Sequence, residues 1–179
     1  MIITTTPRLI IRRFSEKDAA ALLDYLSSPR TPCFHDDKLH SLPEAQADAS
    51  KKSLDSSQFA VCLKENDQLI GHLFADNTEE PDLNTWSVGW HFNQKYEGRG
   101  YATESVTALF QYLFTEKKAR RLYAYVEDDN LNSQKLCQRL NMRQEGCFRE
   151  FVAFIKEDGK EKYENTFVYA LLSKEWTSV

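Results

Sequence analysis

The chain has 179 residues, of which 41% are hydrophobic, 12% aromatic and 28% charged, with a formal net charge of -4. That length suits one domain with a full core and that composition excludes a disordered chain; the negative balance disfavours nonspecific grip on nucleic acid, which depends on neutralising phosphates, and mildly favours an amine substrate. No apolar stretch approaches the roughly 20 residues that cross a bilayer, "MIITTTPRLIIRRF" lacks signal-peptide order, and Cys33, Cys62, Cys137 and Cys147 form no C-x-x-C, so the expectation over 1–179 is a single cytoplasmic domain with buried thiols, no metal and no membrane contact.

In chain order, "RLIIRRF" (8–14) is short and branched and predicts a strand. Ser15 and Asp18 form the S-x-x-D of a capped helix through "AAALLDYLSS", which stops before Pro29. A second helix is expected from Ser41, with Pro43 in its first turn, through "EAQADASKKSL"; "PRTPCFHDDKLH" between the two reads as a surface loop. "FAVCL" and "LIGHLF" around "KENDQ" predict an antiparallel hairpin. In "TWSVGWHF", Trp86, Val88, Trp90 and Phe92 alternate with Thr85, Ser87, Gly89 and His91, the period of a strand. Gly89 within it marks a bulge or a close backbone approach.

From Gly98 the period changes. Ala102, Val106, Leu109, Phe110, Leu113 and Phe114 recur every three or four residues, the stripe of an amphipathic helix ending near "EKKARR". "RLYAYVED" is the next strand and "NSQKLCQRL" the next helix, with Leu136 and Leu140 on one side. "REFVAFI" and "TFVYALL" then bracket "KEDGKEKYEN", whose Asp158-Gly159 is a hairpin turn signal. The order predicts an α+β (mixed α/β) fold with core about 8–176: a central mixed, mostly antiparallel sheet of about seven strands, flanked by about four helices.

"YEGRGYATESV" (96–106) carries the chemistry. The first amides of a helix lack partners and sit at the positive end of its dipole, so small side chains there let an anion lie on bare backbone. Gly98, Gly100 and Ala102 alternate where chain enters helix, and Arg99 adds a full charge. By itself such a turn is equally a tight turn and helix start. It is not a Walker A loop, lacking Lys-Ser/Thr after the second glycine, nor a Rossmann fingerprint, lacking a correctly spaced third glycine.

The succession of "TWSVGWHF", "NQKYEGRGYATES", "RLYAYVEDDN" and "NLNSQKLCQRLNM" resembles the coenzyme A binding core of the GNAT superfamily of N-acetyltransferases. "GRGYATE", the N-x-x-S of Asn130 to Ser133 and the ending "YENTFVYALLSKEW" are similar to the ribosomal-protein N-terminal acetyltransferase branch, the RimJ/RimL type. The resemblance runs from "TPRLIIRRF" to "LLSKEW" and implies a GNAT-like acyl-CoA N-acyltransferase fold. The chain departs at Glu97, where the family loop begins with Arg or Gln, and at Asn141-Met142, where Gly-Phe is usual.

The resemblance implies an enzyme moving an acetyl group from acetyl-CoA to a primary amine, most of all a protein or peptide N-terminal α-amine, by direct transfer in a ternary complex without a metal. A polyamine or antibiotic acetyltransferase and a non-catalytic acyl-CoA binder are the alternatives, and the chain is a monomer or a homodimer. Implied cofactor-binding residues are Phe92, Gly98, Arg99, Gly100, Tyr101, Ala102, Thr103, Asn130 and Ser133, with the thioester in a splayed gap between "SVGWHF" and "LYAYVE". Phe92 pairs with the pantetheine arm through its backbone, and the amides of Gly98 to Thr103 hold the pyrophosphate. Arg99 either contacts phosphate or is solvated.

Candidate catalytic residues are Ser133, which the resemblance implies, Glu150 and Cys137. Ser133 hydrogen-bonds the leaving sulfur or caps its helix. Cys137, one turn later, stands where many members carry a tyrosine acid, or is a core thiol. Glu150 is a base, or a surface carboxylate: the branch's carboxylate falls at Val152 here, and residues two apart on a strand share a face. His91 and His72 are weaker candidates for the base. An α-amine of pKa near 7.8 is already about 14% neutral at pH 7, against roughly 0.04% for a lysine amine, and asks little of a base.

Overall fold

In the computed structural model, which describes residues 1–29, 37–79, 83–155 and 161–177, the branched and aromatic runs become strands of one sheet and the three-four stripes become helices. The elements are β1 (Ile2–Thr5), β2 (Leu9–Arg12), α1 (Ala19–Leu26), α2 (Leu42–Leu54), β3 (Gln58–Leu63), β4 (Leu69–Asp76), β5 (Thr85–Phe92), α3 (Tyr101–Thr115), β6 (Arg121–Glu127), α4 (Leu131–Arg139), β7 (Arg143–Ile155) and β8 (Glu161–Leu172). The sheet is eight-stranded among the described residues, in the order β1-β2-β3-β4-β5-β6-β8-β7. Every neighbouring pair is antiparallel except β5–β6.

One strand more than expected comes from β1, whose four residues carry no alternation of their own and are drawn into the sheet by pairing Thr5 with Ile10 and Thr4 with Ile11. The last two strands begin earlier than "REFVAFI" and "TFVYALL". The Asp158-Gly159 turn, Cys33 and part of the loop before α2 lie outside the described residues. Helix α3 stops at Thr115, before "EKKARR"; Lys118 then takes a left-handed φ of 56° and turns the chain toward β6.

Two apolar layers flank the sheet. On one face Phe59, Val61, Ile70, Leu73, Leu122 and Val126 meet Val106, Leu109, Phe110 and Leu113 of α3 and Leu136 of α4. On the other, Ala60, Cys62 and Leu69 meet Leu22, Tyr25 and Leu26 of α1 and Ala45 and Ala49 of α2. "FAVCL" is therefore buried on both faces, which is why it reads as an unbroken apolar run. Strand β5 shows the same two-sided cover: the apolar parity turns toward the larger core, yet Thr85 and His91 of the opposite parity are also buried.

The Ser15–Asp18 pattern does more than start a helix. The Asp18 carboxylate accepts from the Ser15 backbone N–H at 2.8 Å, and the buried Arg12 guanidinium grips it with Nη1 at 2.8 Å and Nη2 at 2.7 Å. Burial works against the Arg12 charge, but Asp18 and Asp67 outweigh it and raise its pKa. At the other end of the chain Trp176 packs against Phe110 and Phe114, with ring centroids 5.9 and 5.6 Å apart, and its indole N–H donates to Gln111. That contact ties the C-terminal segment to α3.

Cys62 and Cys137 are buried, and burial pushes each thiol up to about 12. Cys147 is exposed on edge strand β7, contrary to the expectation of buried thiols throughout. Gly89 sits in unbroken register opposite Phe74, so there is no bulge there; a Cβ would lie 2.0 Å from the Phe74 ring, and the glycine admits that ring. Among the described residues no helix is long and apolar enough to cross a membrane.

Candidate active site

A parallel pair needs a crossover, and here α3 supplies it between β5 and β6. Their ladder joins Thr85, Trp86 and Ser87 to Arg121, Leu122 and Tyr123 and then stops, although β5 runs on to Phe92 and β6 to Glu127. The strands part where β5 faces α4. A cleft of about 780 Å³ opens there, lined by Trp90, His91 and Phe92 of β5, the turn through Gly98, Gly100 and Tyr101, and Asn130 and Ser133 of α4.

The glycine turn takes the form its sequence suggested. Gly98 has φ +75° and Gly100 φ +79°, left-handed backbone that favours glycine, and Gly100 is the N-cap of α3. A Cβ on Gly98 would meet nothing within 4 Å, so bare backbone faces open cleft at that point. Ala102 and Thr103, in the first turn of α3, line the same cleft. Arg99 is exposed outside the lining, its guanidinium 5.8 Å from the centre of the Tyr96 ring.

Across the cleft, the Asn130 side-chain Oδ1 accepts from the Ser133 backbone N–H at 3.2 Å, so Asn130 supplies the helix cap. The Ser133 hydroxyl is left for the cleft, where it accepts from the Trp90 indole N–H at 3.1 Å. Indole can only donate. The remaining lone pair and the hydroxyl proton of Ser133 are therefore available to a group in the gap. Glu97, the departure from the family loop, accepts from Asn132 at 3.0 Å and links the glycine turn to the start of α4.

Cys137 lies in the main core and is not among the cleft-lining residues, unlike Ser133 one turn earlier. Glu150 stands on β7, beyond β8 from β6, exposed and with φ 47°. The register slips between Phe148 and Val152, three residues opposing Asn165 alone, and Asn165 accepts from the Glu150 N–H at 3.0 Å. Glu150 lies inside this bulge at a left-handed φ, so the strand alternation that would put it on the face of Val152 does not apply to it.

Tyr25 and His91 line one wall of the cleft, with His72 behind them. Burial keeps both imidazoles neutral: His91 is lowered to about 4, and His72 falls well below its usual value through burial and then the neighbouring His91. Burial likewise raises the Tyr25 phenol, which stays protonated and shares a hydrogen bond with His72 Nδ1 at 2.9 Å. Asp24, nearby, is lowered by Lys95 at 2.5 Å and Asn93 at 2.8 Å.

Sequence reasoning missed Arg8 and Glu104. Arg8 Nε donates to Glu104 at 2.6 Å, Nη1 to the Arg99 carbonyl at 3.0 Å, and the guanidinium lies 4.7 Å from the Tyr101 ring centre. Glu104 also accepts from the Thr6 hydroxyl at 2.5 Å and the Arg8 N–H at 3.1 Å. The partners are more than 90 residues apart, so no local motif announced them.

Residues 8–143 match the family model described as an acetyltransferase (GNAT) domain. The chain is 32% identical over 178 residues to the uncharacterized N-acetyltransferase YnaD of Bacillus subtilis, covering 96% of this chain and 98% of that one. It is 24% identical to the [ribosomal protein uS5]-alanine N-acetyltransferase of Escherichia coli, over 97% of this chain and 92% of that one. A GNAT-family acetyltransferase structure from Bacillus anthracis superposes with a TM-score of 0.85 at 28% identity, covering 98% of this chain and 100% of that one.

Proposed function

The chain belongs to the GNAT acetyltransferase family, and from that premise we propose that it moves an acetyl group from acetyl-CoA to the α-amine of a protein or peptide N-terminus, by direct transfer in a ternary complex. The observation that carries this is the β5–β6 ladder ending at Ser87 and Tyr123 beside the left-handed Gly98 and Gly100, with a cleft of about 780 Å³ between. The residues present fit acetyl-CoA. Open space over Gly98 and the free first amides of α3 suit a pyrophosphate, so Gly98, Gly100, Tyr101, Ala102 and Thr103 would hold it. The unpaired edge of β5 through Phe92 and the side chain of Asn130 would hold the pantetheine arm, and Arg99 would add charge at the turn.

Bound acetyl-CoA supplies the activated acyl group. Ser133, aligned by Trp90, donates its hydroxyl proton toward the leaving sulfur. The reading gives no chemical step to Cys137, whose thiol is buried, or to Glu150, which stands apart from the cleft. The amine loses its proton to water. Neutral His91 and His72 add no charge to repel an incoming amine, and Lys95 on the same wall is paired with Asp24.

Two features favour an N-terminal α-amine over a polyamine. The cleft-lining carboxylates of the described residues are engaged, Asp24 by Lys95 and Asn93 and Glu97 by Asn132, whereas a polycation asks for several available carboxylates. The similarity to the uS5-alanine enzyme points the same way. The proposal places 1–179 in the cytoplasm as one domain.

A thiol-release assay with acetyl-CoA tests it, comparing peptides with free small N-terminal residues, the same peptides blocked at the N-terminus, polyamines and aminoglycosides. Turnover confined to free N-termini is expected. Turnover with polyamines alone would overturn the acceptor assignment, and tight CoA binding without turnover on any amine would identify a non-catalytic binder.

A further inference from the structure

The glycine turn is braced from behind. Arg8 lies outside the cleft lining, while Gly98 and Gly100 line it, and a Cβ on Gly100 would approach Arg8 Nη2 at 3.5 Å. The Arg99 carbonyl accepts from Arg8 Nη1 at 3.0 Å. In a planar trans peptide the carbonyl and the following N–H point in opposite directions. Fixing the Arg99 oxygen on the Arg8 side therefore directs the Gly100 N–H away from Arg8.

Charge makes a second demand. Glu104 stands in the first turn of α3, where a carboxylate suits the helix dipole but opposes any incoming anion. Arg8 pairs with it at 2.5 Å, and the Thr6 hydroxyl and the Arg8 backbone N–H hold it in place. Partial burial works against the Glu104 charge, but these bonds and the Arg8 charge prevail and keep its pKa below the usual carboxylate range. The pair is thus locally neutral. The Arg8 guanidinium also stacks on Tyr101, the first residue of α3, so one side chain grips the turn, the first residue of the helix and the acid in its first turn.

We propose that Arg8 is a positioning residue for phosphate recognition: it sets the Arg99–Gly100 peptide with its N–H toward the cleft and cancels the Glu104 charge that would repel the phosphates of the acyl donor. This rests on the reading of Gly98 to Thr103 as the pyrophosphate seat. Arg8 itself touches no phosphate.

Calorimetric titration with CoA and with pantetheine, which lacks the phosphates, separates the two ideas. Wild type should bind CoA far more tightly than pantetheine. Arg8→Ala should weaken CoA about tenfold or more, the scale of a lost charge-assisted contact, while pantetheine affinity stays constant. In steady state it should raise the KM for acetyl-CoA more than it lowers kcat. Arg8→Ala/Glu104→Gln should recover part of the loss, because the unpaired carboxylate is gone, and Arg8→Lys should fall between wild type and Arg8→Ala.

Unchanged CoA affinity in Arg8→Ala and Arg8→Lys would overturn the proposal, as would equal losses for CoA and pantetheine. Should Arg8→Ala fail to fold, Arg8→Lys and Glu104→Gln carry the test; Glu104→Gln should bind CoA at least as tightly as wild type, and weaker binding counts against charge cancellation. If wild type does not distinguish CoA from pantetheine, the pyrophosphate seat itself is wrong and the role of Arg8 falls with it.

Discussion

Gly98 separates the two roles a glycine turn can have, because what it needs for folding and what it needs for an anion respond to different substitutions. Its φ is +75°, and a Cβ there would touch nothing within 4 Å, so Gly98→Ala costs the folded protein only the left-handed backbone. That is about 1–2 kcal/mol, or roughly 2–8 °C in Tm at about 2–4 °C per kcal/mol for a chain of this size. Asparagine tolerates the left-handed region, so Gly98→Asn should lose less. Both side chains add atoms to the open space over Gly98, on the turn that lines the cleft and is proposed to seat the pyrophosphate. CoA affinity should therefore fall about tenfold for Ala, equivalent to about 1.4 kcal/mol, and further for Asn. The two variants thus rank oppositely in stability and in binding. Scanning fluorimetry gives the first ranking and calorimetric titration with CoA the second. Wild-type CoA affinity in Gly98→Asn would refute the reasoning, leaving the glycine a turn residue alone.

Ser133→Ala should lower kcat about tenfold or more with little change in the KM for acetyl-CoA, as removal of a hydrogen bond made in the transition state does; because Asn130 supplies the cap, Tm should barely move, and thermal loss with normal kcat would show a packing role instead. Gly89→Ala drives a Cβ to within 2.0 Å of the Phe74 ring, an overpacking of about 1–3 kcal/mol that a urea unfolding midpoint would register; an unshifted midpoint would show that the ring moves aside freely. The buried histidines make stability depend on pH. In the unfolded chain they take up protons near 6.5, whereas folded His91 resists until about 4 and His72 resists further. The unfolded state thus binds more protons as pH falls, so stability is full above 6.5 and is lost between 6.5 and about 4, at up to about 1.4 kcal/mol per pH unit for each ring. Urea unfolding at pH 7, 6 and 5 should show that decline, and His91→Gln should flatten it; a constant free energy across the series would contradict neutral burial.

What the sequence by itself determined are the features whose physics is local. Period two in "TWSVGWHF" and the three-four stripe after Gly98 mark β5 and α3, and two glycines at their junction mark the turn into the helix, to which the structure gives the left-handed backbone that glycine enters without penalty. Together with Asn130 and Ser133 they were enough to identify the family. Tertiary structure decided what depends on distant partners. The short β1 is a strand only because β2 lies beside it, and His91 is buried only because α1 covers that face of β5. Ser133 is released from capping by Asn130 and aligned by Trp90, 43 residues away in the chain. Glu150 stands inside a bulge against β8, at a left-handed φ where strand alternation does not apply. Arg8 shows the division most plainly. In "TPRLIIRRF" it is one arginine among three. Only the packing of β2 against the start of α3 brings its guanidinium to the Arg99 carbonyl and Glu104, and with it the brace behind the glycine turn.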